Sequence, residues 1–483
     1  MLKRLRIQNF KGWRDTGDIR LAPLSVFFGA NSSGKSSIGQ FLMMLKQTRD
    51  FTSDRRIVFL TDSEYDNDDR LYVQLGSYRE MVYRRDASKD ITFSYDWSPV
   101  KKDNLDRVVI NKNNQEKPLT FSGHDVSFVA QVGFEDNAIV LKSSQYGLQA
   151  RDRGKASHTS EGGADGFLYK LVRGAQKKYD LACADGYELR REQMRPWPSE
   201  APLHFYGFPD DLLSKYQGAN FLQDFSLLHD DLLSSIFYLG PLRKKPSRFY
   251  TWSGHAPQSV KDDGANAIAA FLAAQHTKLN FGGQQRYQSF SHVIAYELKR
   301  LGLIDKFDVQ EIAEASRQYE VKLWMKGNRD YHVNLPDVGF GISQVLPVVI
   351  QCFYAPPESI ILMEQPEIHL HPSAQASLAD VMIDVIHSKE QKKGEGINRN
   401  IQLLIETHSE QFLVRLQRRI AEGTLRQDDV ALYFVNTDKK SFSLEALHVN
   451  ERGDIENWPK NFFGDQMGDI FARADAADKK QQK

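Results

Sequence analysis

The sequence predicts an α/β fold built around a parallel sheet. Three short apolar runs, at residues 24–28, 360–363 and 403–405, are nearly continuous, which is typical of strands buried on both faces. Each run is followed by apolar residues at helical spacing. These helical stretches lie in residues 38–45, 378–385 and 412–420. A strand followed by a helix, repeated along the chain, indicates a parallel α/β core.

The middle of the chain has a different pattern. Residues 91–95, 126–132 and 319–324 alternate apolar and polar side chains, which predicts antiparallel strands. Residues 151–166 and 388–400 are polar without periodicity and predict mobile loops. The predicted segments are an N-terminal lobe at 1–150, an inserted α+β region with helices at 151–330, a C-terminal lobe at 331–465 and a disordered tail at 466–483.

The composition favours a large cytoplasmic protein and leaves its partners open. The chain has 483 residues, 41% of them hydrophobic, which is enough for two or more lobes. Cys183 and Cys352 lie far apart and form no CxxC or CxxH spacing, so no disulfide framework or cysteine zinc site is expected. The first ten residues mix charged and apolar positions, so neither a signal peptide nor a membrane span is expected. Lys and Arg together number 63, as do Asp and Glu, so binding to nucleic acid would need a local basic patch.

The most specific motif follows the first apolar run. Residues 29–36 read GANSSGKS and match GxxxxGK[ST] between a predicted strand and an amphipathic helix, the setting that a phosphate-binding loop requires. Successive N–H groups and the helix N-terminus supply positive potential to phosphates. Lys35 is predicted to reach the β- and γ-phosphates, and Ser36 to bind magnesium. The predicted ATP-binding residues of this loop are Gly29, Asn31, Ser32, Ser33, Gly34, Lys35, Ser36 and Ser37.

A second strand delivers acidic groups to the same edge of the predicted sheet. Residues 360–363 are followed by Glu364, Gln365 and Glu367. In open parallel sheets, ligands bind at the carboxyl ends of the strands. Glu364 is therefore predicted to hold magnesium together with Ser36.

A third strand, at residues 401–405, leads to Glu406 and then to His408. An imidazole at this position could sense or position a γ-phosphate. His369 and His371 could suggest a metal site, but a turn leading into the next helix is favoured.

The sequence leaves more than one candidate for the catalytic base. Gln365 stands directly after the magnesium-side acid, and an amide cannot accept a proton usefully, although it can orient water. Glu367 and Glu406 could take up the proton or help to hold the site. Hydrolysis is therefore expected to be slow. The predicted catalytic residues are Glu364, Gln365, Glu367 and His408.

Another helix is predicted from the apolar stripe between Ile342 and Phe353. Pro347 lies within the stripe, and proline is tolerated mainly near the first turn, so the helix is predicted to begin near Ser343 with a serine cap. The preceding Gly-containing loop, residues 337–344, would offer N–H groups to an anion. The predicted binding residues there are Gly341, Ser343 and Gln344.

In kind and order, these motifs resemble those of ABC and SMC-type ATPases. Residues 337–344 resemble the signature loop, which in those families contacts the γ-phosphate held by the other subunit; here Gln344 and the Gly/Ser character match. Residues 9–13 are similar to the adenine-side strand of RecF and SMC relatives. The resemblance implies ATP and Mg²⁺ as cofactors, and a second copy of the chain, in a homodimer or a higher oligomer, that completes each site.

Three further segments, residues 237–243, 364–372 and 456–463, look like a bacterial group of AAA-family ATPases found in phage-defence loci. Relatives include the ATPase subunits of Septu and PARIS systems and the ATPase half of OLD-family nucleases. The resemblance implies a sensor or scaffold that controls a nuclease. Only 75 residues follow His408, and no HNH cluster is visible, so any nuclease is expected in trans.

Two other functions stay open at this stage. A RecF-like DNA-repair ATPase would bind DNA directly, and a nucleotide-binding assembly platform would show little turnover. The basic and aromatic residues at 243–252 fit a nucleic-acid groove, although a solvated, partly core-packed turn is favoured there. The trigger, which could be DNA or a phage product, and the effector are not set by the sequence.

Overall fold

The structure is a computed structural model of the chain. It describes residues 1–51, 56–60, 68, 70–99, 108–112, 115–119, 124–150, 168–174, 177–183, 190–191, 199–217, 219, 221–281, 286–327, 330–392, 394–437 and 441–459.

Strands dominate the first half of the chain, and most helices lie in the second half. The strands are β1 Leu2–Phe10, β2 Trp13–Asp15, β3 Ile19–Arg20, β4 Leu24–Gly29, β5 Ile91–Trp97, β6 Val108–Lys112, β7 Gln115–Leu119, β8 His124–Glu135, β9 Ala138–Ala150, β10 Tyr169–Arg173, β11 Tyr179–Cys183, β12 Arg190–Arg191, β13 Tyr216–Gln217, β14 Ile236–Leu239, β15 Tyr250–Thr251, β16 Lys278–Asn280, β17 Gln288–Ser289, β18 Ile304–Glu311, β19 Gln318–Met325, β20 Val333–Asn334, β21 Ile360–Glu364, β22 Lys389–Lys392, β23 Glu395–Asn398, β24 Gln402–Glu406, β25 Val430–Thr437 and β26 Phe442–Leu447. The α-helices are α1 Lys35–Asp50, α2 Tyr78–Met81, α3 Asp210–Lys215, α4 Phe221–Ser234, α5 Ala267–Ala274, α6 Phe290–Arg300, α7 Phe340–Tyr354, α8 Pro372–Ile386 and α9 Glu410–Ala421.

The central sheet has the strand order β14-β21-β24-β4-β25-β26. All neighbours are parallel except β26, which is antiparallel to β25. Phe27 on β4 packs into one core, whereas Val26 and Phe28 pack into the core on the opposite face. Because both faces are covered, the strands are apolar at nearly every position. The predicted α/β class with a mixed sheet is confirmed.

An antiparallel sheet covers one face of this core. Its order is β11-β10-β9-β8-β5-β1-β2, and β3 also pairs with β1. Trp13 and Trp97 from this sheet are fully buried in a cluster that includes Phe41 of α1 and Leu222 of α4. The predicted antiparallel strands at 91–95 and 126–132 are confirmed as β5 and β8, and residues 319–324 lie in β19 of a smaller sheet.

The prediction of a mobile loop at residues 388–400 is wrong. The segment forms the hairpin β22–β23, and β22 pairs with β16 through Leu279 and Glu390. Six of the eight strand residues of the hairpin are exposed, including all four of β23. Its polar side chains therefore lack the alternation of a half-buried strand.

The predicted start of the helix near Ser343 is also wrong. Helix α7 begins at Phe340, its N-cap is Gly339, and the Ser343 hydroxyl donates to the Phe340 carbonyl at 2.9 Å instead of capping the helix. Pro347 lies well inside helix α7. A Cβ on Gly264 would lie 2.7 Å from the Pro347 Cβ, so the proline ring fills a close contact that only glycine leaves open. This packing in a buried helix outweighs the hydrogen bond that proline cannot make.

The division into lobes stays a prediction, but one of its segments contributes to the core. Strand β14, within the predicted insertion, is the outer strand of the central sheet, and β10 and β11 extend the antiparallel sheet beyond residue 150. The predicted loop at 151–166 and the tail at 466–483 lie outside the described residues. In the described part of the chain, no helix combines the length and apolar character of a membrane span.

Candidate functional site

The loop between β4 and α1 has the backbone shape of a phosphate cradle. Gly29 and Gly34 have φ values of 147° and 97°, and Ser32 has φ 58°. The Phe442 ring lies so close to Gly34 that any Cβ there would overlap with it. Helix α1 starts at Lys35 without a side-chain cap, so its first N–H groups remain available to a ligand.

The other predicted residues of this loop differ in exposure. Asn31 and Ser32 are exposed, Ser36 is half-buried, and Ser33 and Ser37 are buried. The loop therefore presents its backbone and a few hydroxyl groups to solvent at the end of the sheet.

Lys35 is held in the loop by backbone oxygens. Its Nζ donates to the carbonyls of Gly29 at 2.9 Å and Ala30 at 2.7 Å, and it lies 3.9 Å from the Glu406 carboxylate. Burial lowers the pKa of Lys35, while the carboxylates of Glu406 and Glu367 act in the opposite direction. The ammonium group is thus pre-positioned at the floor of the cradle.

Two carboxylates face each other beside Lys35. Glu364 and Glu406 are paired positions at the ends of the parallel strands β21 and β24. Burial and the neighbouring Glu406 raise the pKa of Glu364 to about 7, and its Oε1 accepts a hydrogen bond from the Tyr238 hydroxyl at 2.9 Å. Burial also raises the pKa of Glu406, which the hydrogen bond from the Ser36 hydroxyl opposes.

Glu367 and His408 connect the two acidic strand ends to the loop. Glu367 Oε1 accepts the backbone N–H of His408 at 2.9 Å, and burial raises the pKa of Glu367. The His408 ring hydrogen-bonds the Gly29 carbonyl, and burial lowers its pKa. The Gln365 N–H donates to the Glu406 carbonyl at 2.8 Å, and its φ is 46°. The structure therefore brings the four predicted catalytic residues to one edge of the sheet.

The oxygen atoms at this edge fit a magnesium ion. Ser36 supplies a hydroxyl, Glu364 and Glu406 supply carboxylates, and Glu406 Oε2 is buried without a hydrogen-bond partner among the described residues. Mg²⁺ is usually bound through one or two carboxylates and substrate phosphates. In the described part of the chain, no group of three or more His, Cys, Asp or Glu residues is arranged to hold a metal ion. His371 instead caps α8, which confirms the predicted turn.

A cleft of about 520 Å³ opens beside Phe442, whose ring contacts Gly34 of the phosphate loop. Its lining includes Lys11, Gly12, Arg84, Arg85 and Phe442. The Phe442 N–H donates to the Gly12 carbonyl at 3.1 Å, so the start of β26 is fixed beside the turn between β1 and β2. Arg84 and Arg85 have φ values of 58° and 56°. An aromatic ring and several cations next to a phosphate loop can accommodate a base and its ribose.

The loop at residues 337–344 presents backbone more than side chains. Ser343 and Gln344 are buried, whereas Gly339 and Phe340 are exposed. A Cβ on Gly341 would lie 2.9 Å from the His369 carbonyl, so this loop packs tightly on the segment after β21. The accessible part of the predicted second phosphate surface is therefore the start of α7.

Sequence reasoning assigned no role at this edge to Tyr238 or Arg243. Tyr238 lies in β14, and Arg243 lies four residues after the end of this strand. Arg243 is buried, and its Nη2 is 3.5 Å from the Glu364 carbonyl. Burial lowers the pKa of Arg243 to about 10, and the nearby Glu367 opposes this shift. The segment was singled out by resemblance, and Arg243 also as part of a basic and aromatic stretch, but only the pairing of β14 with β21 places these residues at the site. No pattern in the sequence predicted that Phe442 lies at the site, because its position depends on contacts with Gly12 and Gly34, which are distant in the chain.

The fold and the site together form a phosphate loop at the carboxyl edge of a parallel sheet, and models of ATPase domains match two parts of the chain. Residues 1–142 match the family model described as "AAA ATPase domain". Residues 218–415 match a model whose description names an AAA domain and the AbiEii toxin of a type IV TA system. Residues 425–472 match a family described as a protein of unknown function, DUF3696. The chain therefore contains ATPase domains of the AAA type. A search of curated proteins gave no match.

Solved structures of SMC heads are similar to this chain at low sequence identity. An SMC head bound to the C-terminal winged-helix domain of ScpA is 9% identical, with a TM-score of 0.42, 92% of this chain covered and 98% of that chain. The SMC head domain from Thermotoga maritima is 11% identical, with a TM-score of 0.36 and coverage of 93% and 99%. An SMC head from Pyrococcus furiosus is 9% identical, with a TM-score of 0.39 and coverage of 92% and 96%.

Proposed function

We propose that this chain binds ATP with magnesium at the described site, hydrolyses it slowly, and closes as a dimer around the nucleotide to control an effector in trans. The observation that carries the proposal is the surrounding of Lys35. A buried ammonium lies on the phosphate loop, opposite Glu406 and next to a histidine that contacts the same loop. This arrangement matches a phosphate chain and its metal ion better than any other ligand class.

ATP would lie along the edge of the central sheet. The phosphates would take the N–H groups at the start of α1 and the charge of Lys35. The base and ribose would occupy the cleft between Gly12, Arg84 and Phe442. Ser36 and Glu364 would hold magnesium, which when bound neutralises charge on the phosphates.

Slow hydrolysis follows from the groups near the attacking water. Gln365 can orient a water molecule but cannot take its proton. Glu367 is buried and Glu406 half-buried, and the pKa of each is raised, so either could accept a proton more readily than an exposed acid. His408 is held against the loop by the Gly29 carbonyl, where it would contact the γ-phosphate region.

A second copy would complete each site through the start of α7. The exposed backbone at Gly339 and the uncapped helix N-terminus offer N–H groups to an anion. Phe340 is 59% exposed, which is unusual for a phenylalanine in a region otherwise packed on the core. Contact with a partner subunit would cover both features.

The proposal is tested with Gly339→Arg. Gly339 has φ −59°, and a Cβ there would meet nothing within 4 Å, so the arginine fits the free chain but obstructs a second copy. We expect this variant to bind ATP normally and to lose hydrolysis. Mixed with Lys35→Ala, it should regain part of the activity, because a mixed dimer contains one intact composite site. Gly174→Arg, in a distant hairpin with only ordinary contacts, is the matched control. Normal hydrolysis by Gly339→Arg would show that the site is complete within one chain.

We propose antiphage defence as the biological setting and a nuclease in trans as the effector. The resemblance to ATPases of defence loci and the toxin named in one family description support this choice. Purified chain should not cleave DNA with Mg²⁺ or Mn²⁺. Phage plating on cells that carry the gene with its neighbours should show protection that Lys35→Ala removes. Protection that survives Lys35→Ala, or DNA cleavage by the isolated chain, would contradict this role.

A further inference from the structure

Arg243 is a buried cation at the outer edge of the ATPase core. It lies four residues after β14, which runs parallel to β21. Its neighbour Leu242 is 85% exposed, whereas Arg243 is only 8% exposed. The chain is therefore at the surface here, and the guanidinium group turns inward toward the carboxyl end of the sheet.

The guanidinium group is poorly satisfied in the free chain. Among the described residues, Nε and Nη1 of Arg243 have no hydrogen-bond partner, and Nη2 reaches only the Glu364 carbonyl at the long distance of 3.5 Å. Glu367 is the neighbouring opposite charge, but its Oε1 accepts the His408 N–H and its Oε2 makes no hydrogen bond to Arg243 or to any other described residue. Burying an arginine without a close counter-ion is strongly unfavourable. The arrangement thus indicates that an anion from outside the chain completes it.

The order of strands indicates which part of the nucleotide this anion is. Along the edge of the sheet, the base cleft lies on the β25–β26 side of β4, and β14 lies on the far side, beyond β24 and β21. A nucleotide with its base in the cleft and its first phosphates on the loop after β4 therefore points its terminal phosphate toward β14. Lys35 and Arg243 also have Glu367 as a common neighbour, whose carboxylate opposes the lowering of the pKa of each cation.

We propose that Arg243 contacts the γ-phosphate of ATP bound by the same chain and thereby distinguishes ATP from ADP. The inference rests on the proposed nucleotide site. A planar guanidinium with free N–H groups suits a terminal phosphate, which offers several oxygens to paired donors. ADP lacks this phosphate and leaves Arg243 as it is in the free chain.

The experiment measures binding of ADP and of a non-hydrolysable ATP analogue, both with Mg²⁺, to Arg243→Met by calorimetry. Loss of a hydrogen bond to a charged group should weaken binding of the ATP analogue at least about tenfold, while the affinity for ADP stays within about twofold. Arg243→Lys, which keeps the charge without the paired donors, should recover only part of the loss. Ligand-free Arg243→Met should melt no lower than wild type, because it removes an unpaired buried charge.

Two variants separate failure of this inference from failure of the nucleotide site. Lys245→Met removes an exposed cation two residues away and should bind both nucleotides like wild type. If wild type binds neither nucleotide, the proposed function fails. If wild type binds both and Arg243→Met loses affinity for both equally, or melts clearly lower, Arg243 is a structural partner of Glu367 and the inference is overturned. Should Arg243→Met not fold, an unchanged ratio of ATP-analogue to ADP affinity in Arg243→Lys would overturn it.

Discussion

Glu364 and Glu406 lie directly opposite each other at the ends of β21 and β24, with the Tyr238 hydroxyl on one and the Ser36 hydroxyl on the other. Two half-buried carboxyls at one strand edge disfavour each other's charge, and this contributes to the raised pKa of Glu364. A magnesium ion would relieve that repulsion. The pair is therefore set up to bind a cation, but its two members are not equivalent.

Glu364→Gln and Glu406→Gln should separate these roles. Replacing Glu364 removes the predicted metal ligand, so hydrolysis should fall by about two orders of magnitude or more, with a higher Mg²⁺ requirement. Replacing Glu406 removes the carboxylate opposite Lys35, so ATP should still bind while turnover falls less. Phosphate release measured against Mg²⁺ concentration tests both variants. If Glu406→Gln lost more hydrolysis than Glu364→Gln, Glu406 rather than Glu364 would be the main magnesium ligand.

Lys35→Ala should abolish detectable ATP binding, because the principal charge facing the β- and γ-phosphates disappears. Calorimetry with ATP and Mg²⁺ measures the effect. Lys46→Ala is the matched control, since Lys46 is another buried lysine of α1, is paired with Asp50 at 3.5 Å, and is not among the proposed site residues. That variant should lose thermal stability and keep its affinity for ATP. Unchanged affinity in Lys35→Ala would remove the phosphate-loop assignment.

The parts of this fold that are visible in the sequence are those where local pattern and tertiary packing agree. Strands β4, β21 and β24 are buried on both faces, so their apolar runs are continuous, and each ends at a functional group. The phosphate loop was found from its spacing, because glycines and a lysine at fixed positions are what the chemistry requires.

Long-range packing explains what the sequence did not predict. Pro347 suggested a helix start near Ser343, but its contact with Gly264, 83 positions away, allows α7 to begin at Phe340. Arg243 and Phe442 reach the site only through the pairing of β14 with β21 and of β26 with β25. No local pattern in a single sequence records such contacts.

A buried acid distant from the ATP site should make stability depend on pH. Glu297 on α6 is fully buried, and burial raises its pKa to about 8, with Asp384 adding to this effect and Arg300 opposing it. The unfolded chain releases this proton near the ordinary glutamate pKa of about 4.3, so the folded state holds more protons between about pH 4.3 and 8. The contribution of this bound proton to the free energy of unfolding is therefore complete below about pH 4.3 and is lost as the pH rises to about 8.

Glu297→Gln keeps the shape of the side chain without the proton equilibrium. The difference in melting temperature between variant and wild type should therefore shift in favour of the variant from pH 5 to pH 8. Thermal unfolding at several pH values measures this difference, which cancels the contributions of other groups. A difference that does not change with pH, or that shifts in favour of wild type, would show that Glu297 is already ionised in the folded chain.

The backbone conformation of Gln365 limits which group can act as the catalytic base. Its φ of 46° is costly for a residue other than glycine, and its N–H is tied to the Glu406 carbonyl, so the backbone fixes where the amide begins. We expect Gln365→Glu to raise turnover or to destabilise the closed dimer, because it places a proton acceptor beside the proposed water position. We expect Glu367→Gln to give an intermediate loss, since the amide oxygen can still accept the His408 N–H.

Gln365→Asn keeps an amide, and asparagine tolerates this backbone conformation. Its side chain is one methylene shorter, so the amide lies farther from the proposed water. The variant therefore separates water positioning from backbone strain. If orientation of water by the amide is required, this variant should be nearly as slow as Gln365→Ala, with ATP affinity unchanged in both. Single-turnover hydrolysis across these variants, with Glu367→Gln and Glu406→Gln beside them, distinguishes the two mechanisms. If both glutamate variants retain full turnover while Gln365→Ala loses it, water positioning by Gln365 is sufficient and neither carboxylate is the base.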